Sequence, residues 1–262
     1  MQIRLHDVEG QTLRVGIRRG EKARPPLLLF NGIGANIELV EPFLDALDGP
    51  EAIIFDVPGV GGSPSPWLPY RPSSLTRLSA RLLDQLGHDH VDVLGLSWGG
   101  ALAQQFAFQQ GKRCRRLVLA ATSPGHLMVP AKLTVLLKMA TPRRYKDSKY
   151  MERIAGDIYG GALRGSPELV HSYLRHVRWS SDYGYYLQLL AGCGWTSLPW
   201  LRWLAQPTLV MAGTDDPLVP FANGRILASL IPDARLVTVD DGHLFLVTNA
   251  SQSAAMISEF LS

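Results

Sequence analysis

Apolar residues along this chain recur with two periods. Over residues 2–20 they alternate with polar ones, Ile3, Leu5 and Val8, then Leu13, Val15 and Ile17. A turn at Glu9-Gly10-Gln11 separates the two halves, which predicts a hairpin at the antiparallel edge of a mixed sheet. Short, largely apolar runs follow at 27–30, 52–55, 91–96, 116–122, 207–213 and 235–239. Runs this short and continuous suit strands buried on both faces. Between them the spacing turns helical, at 38–47, at 74–86, from Trp98 onward, at 222–230 and at 251–261. Strands alternating with helices predict an α/β chain, a mostly parallel sheet with helices on both faces.

Residues 124–203 break the alternation. Seven of the eight tyrosines and four of the six tryptophans fall there, and none of the eight phenylalanines does. Helical spacing is legible at 133–139, 154–162, 169–177 and 185–191, without a clean strand. This predicts a helical cap (124–203) inserted between two parts of one core (1–123 and 204–262), lying over the strand ends where such sheets bind ligands. Tyr and Trp join an apolar body to a polar tip and suit a surface that meets both water and a greasy ligand. A helical appendage whose aromatics are its own core is the competing reading.

The formal net charge of +3 gives no electrostatic case for nucleic acid. No run of eighteen apolar residues exists, and the first residues, Met1-Gln2-Ile3-Arg4-Leu5-His6-Asp7, lack a signal-peptide core. The expectation is a cytoplasmic protein without a transmembrane segment. Cys114 and Cys193 make no metal-ligand spacing and are expected as reduced thiols.

The candidate chemistry sits where the run 91–96 meets the helix after it. Gly95-Leu96-Ser97-Trp98-Gly99 is a G-x-S-x-G strand-to-helix turn, on which a serine is held with its hydroxyl exposed and with glycines where a Cβ would clash. The helix N-terminus there favours developing negative charge. A serine hydroxyl needs a base, and the base needs an orienting acid. On doubly wound sheets these follow in the order Ser, acid, His, each after a later strand. Ser97, Asp216 and His243 meet that order. Asp215 is the competing acid; Asp216 is preferred because Pro217 biases it to extended backbone and because G-x-x-D-x-x-x-P is the usual acid-loop spacing. Asn31-Gly32-Ile33-Gly34, at the end of an apolar run, suits the second donor of an oxyanion hole, so the backbone N–H groups of Ile33 and Trp98 are expected to hold the oxyanion. Asn31, Tyr185 and Trp195 are the expected substrate contacts. Asp56, before a Pro-Gly turn, reads as a local backbone acceptor, and His126 as structural. The reaction predicted is acyl transfer through an acyl-enzyme, which requires no metal or organic cofactor.

Several segments resemble the intracellular medium-chain-length poly(3-hydroxyalkanoate) depolymerases of bacteria: Phe30-Asn31-Gly32-Ile33-Gly34-Ala35-Asn36, residues 55–63, residues 95–106 and Asp240-Asp241-Gly242-His243-Leu244-Phe245-Leu246. The cap joins them through Tyr159-Gly160-Gly161-Ala162 and residues 184–197. The resemblance runs nearly end to end. It implies an α/β-hydrolase fold and a serine esterase that cuts storage polyester at the granule surface into hydroxyacids. The residues by themselves license an esterase, which leaves a small-molecule carboxylesterase and a non-catalytic granule-binding protein as the alternatives.

Overall fold

The alternating stretch at the start of the chain forms two strands. A computed structural model describes residues 1–21 and 23–262. In it β1 (Gln2–Val8) and β2 (Gln11–Arg18) pair antiparallel through Glu9 and Gly10, at φ 53° and 82°. Positive φ at both central residues matches the twist of the flanking strands, and glycine adopts it freely. The apolar runs become β3 (Leu27–Phe30), β4 (Ala52–Phe55), β5 (Val91–Leu96), β6 (Cys114–Ala120), β7 (Thr208–Gly213) and β8 (Ala234–Val239). Among the described residues these make one eight-stranded sheet of order β1-β2-β4-β3-β5-β6-β7-β8. β2 is antiparallel to β4, and every pairing from β4 to β8 is parallel. All residues of β3, β4, β5 and β7 are buried, which is why these strands read as continuous runs.

Alternate strand residues feed two cores. Leu28, Phe30 and Val93 pack beneath α2 (Pro72–Leu86) and α3 (Trp98–Gln109), where Leu82, Leu83 and Phe106 meet them. On the opposite face Leu27, Leu29 and Leu94 meet Phe43 and Leu44 of α1 (Glu41–Ala46). The helix expected over 38–47 is in fact a 3-10 turn, Ile37–Val40, followed by α1. Pro42 explains the break: it lacks an N–H and clashes with the preceding turn, so it fits only a fresh helix start.

Between β6 and β7 lie α4 (Leu133–Met139), α5 (Arg143–Lys146), α6 (Ser148–Tyr159), α7 (Pro167–His176) and α8 (Asp182–Gly192). α5 has no counterpart in the predicted elements. α6 starts six residues before its expected start, because Asp147 caps it by accepting from the Tyr150 amide at 2.9 Å. It ends at Tyr159, because Gly160 and Gly161 turn to positive φ (65° and 52°). Met139, Met151, Ile154, Ile158 and Tyr173 form a third core under this segment. Its last part belongs elsewhere: Leu187, Ala191, Leu201 and Leu204 join the α2/α3 core, and Trp200 stacks on Phe108 of α3 at 4.5 Å. After β7 come α9 (Ala222–Leu230), α10 (Phe245–Thr248) and α11 (Ala250–Leu261), with Leu227 of α9 in the α2/α3 core and Ile257 of α11 in the opposite one. Cys114 and Cys193 are free thiols, the first buried and the second exposed. Among the described residues no helix is long and apolar enough to cross a membrane.

Candidate active site

The turn from β5 into α3 holds Ser97 at φ 55° and ψ −119°, a region that side chains seldom occupy. Crowding forces the glycines on either side. A Cβ on Gly95 would lie 2.5 Å from the Gly99 carbonyl oxygen, and one on Gly99 2.1 Å from that of Phe30. The strained serine is pinned on both sides of its own backbone. Its N–H donates to Ala120 O at 2.9 Å, and its C=O accepts from Thr122 Oγ1 at 2.7 Å.

Two later loops deliver its partners. His243 Nε2 lies 2.8 Å from Ser97 Oγ, and His243 Nδ1 lies 2.7 Å from Asp216 Oδ2. Both the imidazole and the carboxylate are buried. The other Asp216 oxygen accepts from the amides of Leu218 and Val219 at 2.9 and 2.8 Å, which fixes the carboxylate's direction. Asp215 faces away and is half exposed. It pairs with Arg164 at 2.6 Å, whose hydrogen bond holds the Asp215 carboxyl below the usual carboxylate range. The imidazole loop is held by the segment above it: the His243 amide donates to Tyr159 O at 2.6 Å, and the Tyr159 ring stacks on the imidazole at 6.0 Å and 10°.

Beside Ser97 the β3 loop approaches so closely that a Cβ on Gly32 would touch the serine Cβ at 3.7 Å. Among the described residues the N–H groups of Ile33 and Trp98 have no acceptor, while the flanking Gly32 and Gly34 amides are taken by Asn31 Oδ1 and Gln188 Oε1 at 2.8 and 2.7 Å. Two free donors thus belong to the two segments that flank the hydroxyl. The pocket over Ser97 has Leu39, Met139, Leu218, Leu244 and Val247 on its apolar wall.

A family model described as the alpha/beta hydrolase fold matches residues 25–250. The chain belongs to the α/β-hydrolase family. It is 54% identical over 256 residues to a poly(3-hydroxyalkanoate) depolymerase of Ectopseudomonas oleovorans, covering 97% of this chain and 90% of that one, and so falls in the depolymerase branch of the family. Among solved structures it superposes on a hydrolase from Pseudomonas aeruginosa PA01 with TM-score 0.82, 26% identity and coverage of 99% and 98%. The enol-lactonase from Burkholderia xenovorans LB400 shares the fold at TM-score 0.84, 24% identity and coverage of 98% and 99%.

Of the three side chains expected at the substrate of this α/β hydrolase, one lines the pocket and two are placed elsewhere. Asn31 borders the pocket, but its amide is committed to the loop, donating to Asn36 O at 2.9 Å and accepting from Gly32. Trp195 is not in the pocket; its indole donates to Gln105 of α3 at 2.9 Å and its ring covers Gly125, beside a separate surface groove with Arg71 and Cys193. Tyr185 is fully buried behind the pocket wall, where its hydroxyl accepts from Arg144 at 2.7 Å. A buried phenol needs a partner, and the segment supplies one internally. Tyr145, Tyr159 and Tyr173 belong to the segment's own core and also line the pocket, so its aromatics serve both of the roles expected from its composition. Asp56 is a backbone acceptor as read, taking the amides of Ile37 and Gly62 at 2.9 and 2.8 Å, and it also pairs with Arg14 at 2.9 Å.

Two contributors had no signal in the sequence. Gln188 of α8 accepts from the Gly34 amide and, through its own carbonyl, from the Trp98 indole at 3.0 Å, tying the two segments that flank the Ser97 hydroxyl to one helix. Arg144 lies in the run Arg143-Arg144-Tyr145-Lys146, which reads as a solvated charged turn, yet it is 1% exposed and lines the pocket. The segment Tyr159-Gly160-Gly161-Ala162 was visible only through the resemblance.

Proposed function

We propose that Ser97, His243 and Asp216 form the catalytic triad of a carboxylic ester hydrolase that depolymerises poly(3-hydroxyalkanoate). The observation that carries the reading is the pair of contacts made by His243, to Ser97 Oγ at 2.8 Å and to Asp216 at 2.7 Å, beneath an apolar pocket. His243 Nε2 takes the hydroxyl proton as Ser97 Oγ bonds to the ester carbonyl carbon. The resulting oxyanion accepts from the free N–H groups of Ile33 and Trp98. Collapse breaks the carbon–oxygen bond to the leaving alcohol, which receives the proton from His243. Water then repeats the sequence on the acyl-enzyme: His243 takes its proton, the carbonyl carbon passes to the water oxygen, and Ser97 regains its hydrogen. Asp216 keeps Nδ1 protonated and stabilises the imidazolium while it exists.

The polyester assignment draws on the depolymerase relative, and the pocket supports it. Its wall of Leu, Met and Val side chains suits the alkyl branch of a medium-chain hydroxyacid unit. Residues 124–203 act as the cap in this reading, since Tyr159, Tyr145 and Gln188 of that segment touch the loops that carry His243, Ile33 and Gly34. Contact with a storage granule in the cytoplasm is consistent with the exposed Leu133, Leu136 and Leu137 of α4, an apolar strip on the outside of the same segment. The same triad geometry beneath an apolar wall also suits one second reading, a carboxylesterase for soluble short esters. Emulsified medium-chain polymer separates the two: release of hydroxyacids supports depolymerisation, and an intact polymer beside rapid p-nitrophenyl ester turnover supports the alternative. Failure of a fluorophosphonate to label Ser97 removes both.

A further inference from the structure

Arg144 of α5 is 1% exposed and is one of the residues lining the pocket that contains Ser97. Its donors meet only phenol oxygens: Tyr185 at 2.7 Å, Tyr159 at 3.2 Å and Tyr145 at 3.4 Å. The cation also lies 4.4 and 5.1 Å from the ring centroids of Tyr145 and Tyr185. Burial pushes the Tyr145 and Tyr185 hydroxyls above their ordinary pKa, so these partners stay neutral. No carboxylate of the described residues pairs with Arg144, whereas the buried Asp56 has the opposite charge of Arg14 beside it. A buried cation with neutral partners only is costly, and an anion reaching it from the pocket offsets that cost.

We propose that Arg144 is a carboxylate-binding subsite, which receives the free acid end of a hydroxyacid oligomer while Ser97 attacks an ester within the same molecule. This rests on the ester-hydrolase reading above and narrows it: free-acid oligomers and carboxyl chain ends are the preferred substrates, and neutral chain interiors are cut more slowly. The interior of a polyester has no charge to offer the guanidinium. A chain end does, and every cleavage releases another carboxylate. Arg144 has a second connection that the test must separate. The Tyr145 hydroxyl beside it donates to Ile33 O at 2.6 Å, so the arginine also braces the oxyanion loop.

The test compares kcat/KM for a 3-hydroxyoctanoate trimer with a free carboxylate and for the same trimer as its methyl ester. Wild type is expected to favour the free acid by about ten- to a hundred-fold, the range of a charge-assisted hydrogen bond. R144Q brings the ratio to about one, whatever its absolute rates, and R144K keeps part of it. A wild-type ratio near one overturns the proposal. So does an R144Q variant in which both rates fall with the ratio intact, the signature of bracing alone. A second measurement needs no variant: 3-hydroxyoctanoate should inhibit p-nitrophenyl ester turnover at least about ten-fold more strongly than 3-hydroxyoctanamide, and equal inhibition overturns the proposal. Turnover of p-nitrophenyl esters with neither trimer cut refutes the polyester reading instead, and the inhibition pair still decides the subsite.

Discussion

Ser97 carries the strain of the site. A non-glycine residue at φ 55° costs on the order of 1–3 kcal/mol, and it persists because Ala120, Thr122 and two glycines allow nothing else. Removing its hydroxyl leaves the scaffold untouched: Ser97→Ala should lower ester turnover about a million-fold with an unchanged thermal midpoint. The neighbouring aspartates separate as sharply. Asp216→Asn should cost about 10⁴-fold in kcat because the imidazole loses its orienting acid, whereas Asp215→Asn loses only an exposed pair with Arg164 and should stay within about ten-fold; the reverse pattern in steady-state kinetics rejects the assignment. Glu38 gives a pH signature. Burial alone would raise its carboxyl, but the hydrogen bonds from Arg14 and Asn36 outweigh burial and hold it at about 2, against an ordinary 4.5. Its folded pKa is depressed, so its contribution to stability is complete above about 4.5 and vanishes as pH falls to about 2. Glu38→Gln should therefore cost about 1–3 kcal/mol at neutral pH, and denaturation series run from pH 7 downward should show that deficit closing across the same window.

Among the elements, the 160–161 turn couples the helical segment to the catalytic loops. A Cβ on Gly161, already at φ 52°, would lie 2.0 Å from Asp241 Oδ1 and from the Gly242 amide, one residue before His243. Gly161→Ala should shift the imidazole and lower kcat by about a hundred-fold, and Gly165→Ala, whose Cβ meets nothing within 4 Å, is the matched control. Elements were legible in the sequence where the apolar pattern is nearly continuous or alternating, as in β3, β5 and the β1–β2 pair, although Ile3 and Leu5 of β1 are exposed. They were less so where a single proline or an Asx cap resets a helix, as at Pro42 and Asp147. The three residues of the proposed triad could be read because each sits just past an apolar strand, a position that local pattern reveals. Arg144 and Gln188 could not, because their roles depend on which distant loop faces them, and nothing in Arg143-Arg144-Tyr145 distinguishes an inward guanidinium from two outward ones. The aromatic richness of 124–203 was visible, but composition does not say whether phenols face a ligand or each other; here Tyr145, Tyr159 and Tyr173 do both, packing in the segment's core and lining the pocket, while Tyr185 is core alone.

Taken as a whole molecule, the sheet brings to one end the loops after β3, β5, β7 and β8, which are distant in sequence, and the segment between β6 and β7 closes over them. That geometry accounts for attack on an ester. Reaching a polymer is a separate property, and it belongs to the outer surface. Leu133→Ser with Leu137→Ser, both exposed, should lower hydrolysis of emulsified polymer several-fold while p-nitrophenyl ester turnover holds; equal rates on polymer would place granule contact elsewhere. The central claim is tested most directly by incubating wild type and Ser97→Ala with emulsified medium-chain poly(3-hydroxyalkanoate) and measuring hydroxyacids released by mass spectrometry. Wild type should release hydroxyacid monomers or short oligomers and the Ser97→Ala variant none; polymer left intact by a wild type that still turns over soluble esters would contradict the account.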